Sequence, residues 1–131
     1  MINKNIDFGY LIEQMYMPLS KTHSEMIEQY KDLPMCLIEC VDDGERSEQI
    51  RIDFEKENSC VYYFFNKDSI PELACLCFDE PSDTELFVVF LLRYADYYDY
   101  VKNHWVIKEC FFVRVEQEEN SIHFICRRFV N

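Results

Sequence analysis

Apolar residues in the first third of the chain recur three or four positions apart, which predicts an amphipathic helix. The residues that form this apolar face are Phe8, Leu11, Ile12, Met15 and Leu19. Asp7 stands at the position of the N-terminal cap, and Pro18 should end or kink the helix because proline lacks a backbone N–H. Thr22 and Glu25 have the spacing of a capping box, so a short second helix is predicted before Pro34.

The middle of the chain has the alternation of three β-strands. Residues 36–41 form a short apolar run, residues 49–54 alternate between apolar and polar, and residues 60–65 are apolar on both faces, as is typical of a central strand. The turn-forming residues 42–45 and 56–58 separate these runs, so we expect an antiparallel meander.

The second half of the chain is more ambiguous. Residues 70–78 are compatible with a strand, but Asp68-Ser69 and Pro71 favour a short helix. A second capping box at residues 82–85 predicts a long helix that extends to about Asn103. Residues 86–92 are apolar all round this helix, so they should be covered within the subunit or, alternatively, by a second copy in a homodimer. Residues 111–115 and 122–126 alternate as the two strands of a hairpin.

These elements predict one α+β domain that spans residues 1–131. The sheet should be largely antiparallel and five-stranded, with a three-strand meander and a C-terminal hairpin. The N-terminal helices and one long central helix should pack on it. A chain of 131 residues, of which 49% are hydrophobic, is sufficient for one core of this kind.

Negative charge is concentrated in the centre of the sequence. The chain has 25 acidic and 13 basic residues, for a formal charge of −12, and residues 34–105 contain 16 of the acids but only 6 of the bases. Such a surface repels nucleic acid and anionic membranes and attracts a basic protein, although solubility alone would also account for it. The N-terminus lacks a basic segment followed by an apolar one, and no apolar run approaches the roughly 20 residues of a membrane helix, so we expect a cytoplasmic protein.

The seven cysteines are interpreted as reduced core residues, because their number is odd and each lies in or beside an apolar run. Cys75 and Cys77 are too closely spaced for a common zinc motif, whereas Cys36 and Cys40 would lie about 13 Å apart on a strand. The sequence therefore predicts no metal site and no cofactor.

Residue spacings typical of nucleophilic catalysis are missing from the sequence, so we do not expect an enzyme. His123 is the best candidate for an active group because Arg127 falls on the same face of the predicted hairpin. We nevertheless favour the simpler explanation, that His123 is an exposed strand histidine.

The central acidity favours a protein-binding module that neutralises a basic protein partner. We expect an immunity protein that blocks a toxin, which could be a nuclease, because such proteins are often small, acidic α+β domains. A type III secretion chaperone that acts as a homodimer is the alternative, since that family is similar in size, acidity and element order but ends on a helix. The contacts expected from the acidic turns and from an acidic, tyrosine-rich helix face are Asp42, Asp43, Glu45, Glu48, Asp53, Asp96, Tyr97, Tyr98 and Asp99.

Overall fold

The computed structural model describes residues 5–129, which form three α-helices, two short 3₁₀ turns and eight β-strands. The helices are α1 (Phe8–Tyr16), α2 (His23–Gln29) and α3 (Pro81–Tyr94). The strands are β1 (Met35–Asp42), β2 (Glu45–Phe54), β3 (Ser59–Phe65), β4 (Pro71–Phe78), β5 (Tyr97–Asp99), β6 (His104–Ile107), β7 (Phe111–Glu118) and β8 (Ser121–Arg128). All strand pairs are antiparallel, in the order β1-β2-β3-β4-β8-β7-β6-β5. The α+β class and the antiparallel sheet are confirmed, but the sheet has eight strands instead of five.

Both predicted caps of the N-terminal helices are confirmed. The Tyr10 backbone N–H donates to Asp7 Oδ1 at 2.9 Å at the start of α1. The Glu25 N–H donates to Thr22 Oγ1 at 3.2 Å, and Thr22 N–H donates to Glu25 Oε1 at 2.9 Å. Pro18 lies in the 3₁₀ turn Met17–Ser20, directly after the end of α1. Local sequence signals therefore set the boundaries of both helices.

Within residues 70–78, Pro71–Phe78 form strand β4, so the preference for a short helix was wrong. Ala74 and Leu76 are fully buried on one face of this strand, while Cys75 and Cys77 point to the other. Strands β3 and β8 pair with β4 on its two sides and satisfy its backbone groups. This tertiary pairing overrides the local helix-start signal at Pro71.

The predicted long helix is also wrong beyond Tyr94, and it begins at Pro81 with Glu80 as its N-cap, so residues 82–85 lie inside the helix and are not a capping box. Ala95 is extended, with a ψ of 154°, and the segment that follows forms the β5–β6 hairpin. Tyr97 pairs with Val106 and Tyr98 with Trp105, which places β-branched and aromatic residues at the edge of the sheet. Strands β4, β5 and β6 were not predicted, and they account for the difference between the five predicted strands and the eight in the structure.

The helices pack on one face of the sheet, which we call the inner face. The residues that meet there include Leu11, Met15 and Leu91 from the helices and Ile52, Val61, Leu76 and Phe124 from the strands. The outer face carries the alternate strand residues, many of them half-buried, among them Tyr62, Phe64, Cys75, Cys77 and Ile125.

Two expectations about burial are corrected by this arrangement. Cys126 is buried in the core, but Cys36 and Cys110 are exposed and the other four cysteines are half-buried. Helix α3 is not covered on all sides, because Leu86, Val89 and Leu92 are more than half exposed. Among the described helices, none is long and apolar enough to cross a lipid bilayer.

Candidate functional site

An acidic cleft of about 660 Å³ opens at the end of the sheet where β2 leads into β3. Its walls come from the N-terminal cap of α1, the loop between α2 and β1, and the 3₁₀ turn Glu55–Glu57. The Asp53 N–H donates to the Pro34 carbonyl at 3.0 Å, which holds the α2–β1 loop against strand β2. The cleft is thus built from segments that lie far apart in the sequence.

Five carboxylates and one lysine line the cleft, for a formal charge of −4. The charged residues are Asp7, Asp32, Asp53, Glu55, Glu57 and Lys56. Asp53 Oδ1 also accepts from Arg51 Nε at 2.9 Å, so part of its charge is compensated. The remaining acids give the cleft a negative potential that a bound cation would relieve.

Partial burial and the neighbouring acids raise the pKa of two groups in the cleft. Partial burial raises the pKa of Glu57, the charge of Asp7 raises it further, and Lys56 opposes both effects. Burial likewise raises the pKa of Tyr10, followed by the charges of Glu57 and Asp7. Because like charges repel at short range, the free protein holds these carboxylates together at an energetic cost.

Aromatic rings form the floor of the cleft. Tyr10 meets Phe54 edge to face, with ring centroids 5.8 Å apart, and Phe54 meets Tyr30 at 6.0 Å. Phe54 is almost fully buried, whereas Tyr10 remains 37% exposed. An exposed tyrosine ring beside carboxylates suits an arginine or lysine side chain, which can bind the acids and lie on the ring.

The predicted contacts of the β1–β2 hairpin lie at the other end of strand β2. Asp43 and Gly44 have φ angles of 50° and 80°, so the predicted turn is confirmed. Asp43 and Glu45 line a second cavity of about 770 Å³, together with Asp68, Glu72, Arg46 and Lys67, so this lining is also acidic but less so than the cleft. Asp42 is the last residue of β1, and its side chain lies outside the described part of the structure.

Glu48 points to the inner side of β2, where it contacts a histidine of α2. Its Oε2 lies 3.2 Å from His23 Nε2, and the His23 ring packs against Phe65 with centroids 4.9 Å apart. This arrangement ties α2 to the sheet, so Glu48 has a structural role.

Asp96, Tyr97, Tyr98 and Asp99 do not share a helix face, because they lie in and beside strand β5. Asp96 Oδ2 accepts from the Glu109 N–H at 2.8 Å, and Asp99 Oδ1 accepts from the Val101 N–H at 3.0 Å. Both carboxylates thus order turns at this edge. Strand β5 is seven strand spacings from β1, about 34 Å along the sheet, so the two predicted groups of contacts are not brought together.

Of the nine predicted contacts, Asp53 lines the acidic cleft. The cleft residues that sequence reasoning missed are Asp7, Tyr10, Asp32, Glu55 and Glu57. Glu55 and Glu57 flank a lysine in a predicted turn, and this pair of acids was the sequence feature that could have identified them as contact residues. Asp7 was interpreted as a helix cap, and its proximity to Glu57 depends on the tertiary fold.

His123 and Arg127 share the outer face of β8, four residues or about 13 Å apart along the strand. The His123 ring contacts Cys77 Sγ through Nδ1 and Ser121 Oγ through Nε2, each at 3.4 Å. A catalytic role for His123 with Arg127 stays a prediction.

Comparison of the chain with protein-family models, with curated proteins and with solved structures finds no match in any of the three.

Proposed function

We propose that this chain is an acidic protein-binding module that neutralises a basic protein partner by direct binding through the acidic cleft. The observation that carries this proposal is the convergence of five carboxylates around the exposed ring of Tyr10. A lysine or arginine side chain from the partner would enter the cleft, pair with the carboxylates and lie against that ring.

The whole-molecule charge of −12 supports the same proposal. A strongly negative surface attracts a basic protein over a distance of about one Debye length and speeds its association. Contacts inside a concave site then fix the orientation of the partner, which charge alone does not. The cleft and the net charge would therefore act at successive stages of binding.

The partner that we propose is the active domain of a toxin, with the chain as its immunity protein. A nuclease is a suitable partner because its cationic substrate-binding surface complements a carboxylate-lined cleft. The alternative, a homodimeric chaperone, is supported by the exposed residues Leu86, Val89 and Leu92 of α3, which a second copy could cover.

The test compares two variants of equal net charge in binding to the protein that is encoded beside this gene. The cleft variant combines Asp7→Asn, Asp32→Asn, Glu55→Gln and Glu57→Gln. The control variant neutralises four exposed acids elsewhere, through Glu72→Gln, Glu109→Gln, Glu118→Gln and Glu119→Gln. At about 0.2–1 kcal/mol for each exposed charge pair, the loss of four pairs should weaken the binding of the cleft variant by about fourfold or more, while the control changes far less.

Titration calorimetry at low and high salt would measure both effects. The affinity of the wild-type chain should fall as salt rises, because screening weakens each charge pair. Equal losses in the two variants would reject the cleft as the contact site. A salt-independent affinity would contradict the electrostatic basis of the proposal.

A further inference from the structure

Three metal-ligating side chains converge on the outer face of the sheet, two strands away from the acidic cleft. Cys75 and Cys77 are alternate residues of β4, so both side chains point outward, and His123 of β8 is paired directly with Cys77. The two Sγ atoms are 4.0 Å apart, and Cys77 Sγ lies 3.4 Å from His123 Nδ1. All three ligand atoms lie within 4.8 Å of one another.

We propose that Cys75, Cys77 and His123 bind a zinc ion. With Zn–S bonds of about 2.3 Å, two sulfur ligands of a tetrahedral ion lie about 3.8 Å apart, close to the distance between the two cysteines here. A Zn–N bond of about 2.0–2.1 Å gives a sulfur–nitrogen separation of about 3.6 Å, close to the Cys77–His123 distance. Thiolate and imidazole ligands together select zinc over the harder ions magnesium and calcium.

The charge of the ligand set also suits zinc. Two thiolates and a neutral imidazole balance the charge of a divalent ion, so the complex adds no net charge to a half-buried position. If Cys75 and Cys77 were both deprotonated at this distance, the two thiolates would repel each other unless a cation lay between them.

The surroundings of His123 provide the orientation that a ligand histidine requires. With Nδ1 directed at the metal, the Nε2–H can donate to Ser121 Oγ, which lies 3.4 Å away. Such a second contact commonly fixes the tautomer and the ring orientation of a metal-bound histidine. Cys60 is paired with Cys77 across β3 and β4, which adds a third thiol beside the group.

The spacing of Cys75 and Cys77 is short for the loops that bind zinc in common motifs, which is why the sequence predicted no site. On a β-strand, however, alternate residues share a face, and the antiparallel neighbour supplies the third ligand at a fixed register. The described residues that form this group are all half-buried, so an ion can reach them from the open face.

The experiment is a competition titration of the reduced full-length chain with Zn²⁺ against a chromophoric chelator, with Co²⁺ as a spectroscopic probe. The wild-type chain should bind one ion with a Kd of about 1 μM or less. Bound Co²⁺ should show thiolate-to-cobalt charge transfer and the intense visible bands of tetrahedral coordination. The variants Cys75→Ser and His123→Gln should each weaken zinc binding about 100-fold or more.

A double variant, Cys36→Ser with Cys110→Ser, removes the two exposed thiols and leaves the proposed site intact. It should bind zinc as the wild-type chain does. Zinc binding that survives Cys75→Ser, or that is lost equally in the double variant, would overturn the proposal. Far-UV circular dichroism of every variant ensures that a loss of binding is not a loss of fold, and His123→Gln provides the second test if Cys75→Ser unfolds.

Discussion

At the residue scale, Glu57 shows how the acidic cleft lowers the free energy of unfolding of the unbound protein. Its pKa is raised by partial burial and by Asp7, so the folded chain holds this proton to a higher pH than the unfolded chain does. As the pH rises through the interval between the two pKa values, the unfolded state ionises first. The free energy of unfolding therefore falls across that interval, and Glu57 is destabilising at neutral pH.

We expect Glu57→Gln to stabilise the protein at pH 7 by about 0.5 kcal/mol, because it removes a partly buried charge that Asp7 repels. At pH 3.5, below the ordinary glutamate pKa of about 4.3, the wild-type side chain is protonated in both states and the difference should vanish. Urea unfolding at the two pH values measures this change. Glu119→Gln in the exposed β7–β8 turn is the control, and a gain of the same size there would contradict the argument.

At the element scale, one side chain of the sheet completes the end of a helix. The carbonyl of Gln14 in α1 would normally accept from the N–H four residues later, but that residue is Pro18, which has none. Tyr63 of strand β3 donates its hydroxyl to the Gln14 carbonyl at 2.6 Å, and its ring stacks on Tyr30 of the α2 C-terminus. The tyrosine is fully buried, and burial raises its pKa well above the ordinary range.

Replacement of Tyr63 by phenylalanine should therefore cost about 1–2 kcal/mol, since it removes the donor of a partly buried carbonyl while most of the ring packing stays. Chemical denaturation of the variant measures this loss. Tyr97→Phe removes the hydroxyl of a 58% exposed tyrosine and should change stability by less than about 0.5 kcal/mol. If the two variants were equally stable, the hydrogen bond to Gln14 would not be what joins α1 to β3.

At the scale of the whole molecule, the charge of −12 offsets the exposed apolar surface. Leu86, Val89 and Leu92 form a stripe on α3 that no described element covers, and each is more than half exposed. Repulsion between molecules of like charge keeps such surfaces apart at neutral pH. Near the pI of about 4.6 that repulsion is lost.

We expect the protein to self-associate near pH 4.6 and to disperse again at pH 7, as light scattering at low salt would show. A variant with Leu86→Gln, Val89→Gln and Leu92→Gln should associate less, because glutamine keeps the helix but removes the apolar stripe.

A matched variant with three exposed apolar residues replaced elsewhere separates the stripe from general hydrophobicity. It combines Ile70→Gln, Val101→Gln and Ile122→Gln, all outside α3. If self-association fell equally in both triple variants, the α3 stripe would contribute no more to it than other exposed apolar residues do.

Several features of this protein follow from the sequence alone, because they depend on groups close together in the chain. The caps at Asp7 and Thr22 satisfy local backbone N–H groups, and the turn at Asp43-Gly44 requires positive φ angles that these residues tolerate. The alternation of residues 49–54 and of the terminal hairpin likewise identifies strands that the structure contains as β2, β7 and β8. The surplus of acid is a property of composition and needs no fold.

Tertiary structure decided the rest. Residues 71–78 and 97–99 form strands because neighbouring strands pair with their backbone groups, and this pairing outweighs the local signals for helix. The same long-range pairing placed His123 beside Cys77, and folding brought Asp7 close to Glu57. Sites formed by residues far apart in the chain depend on strand register and helix packing, and the sequence specifies these only through the energy of the whole fold.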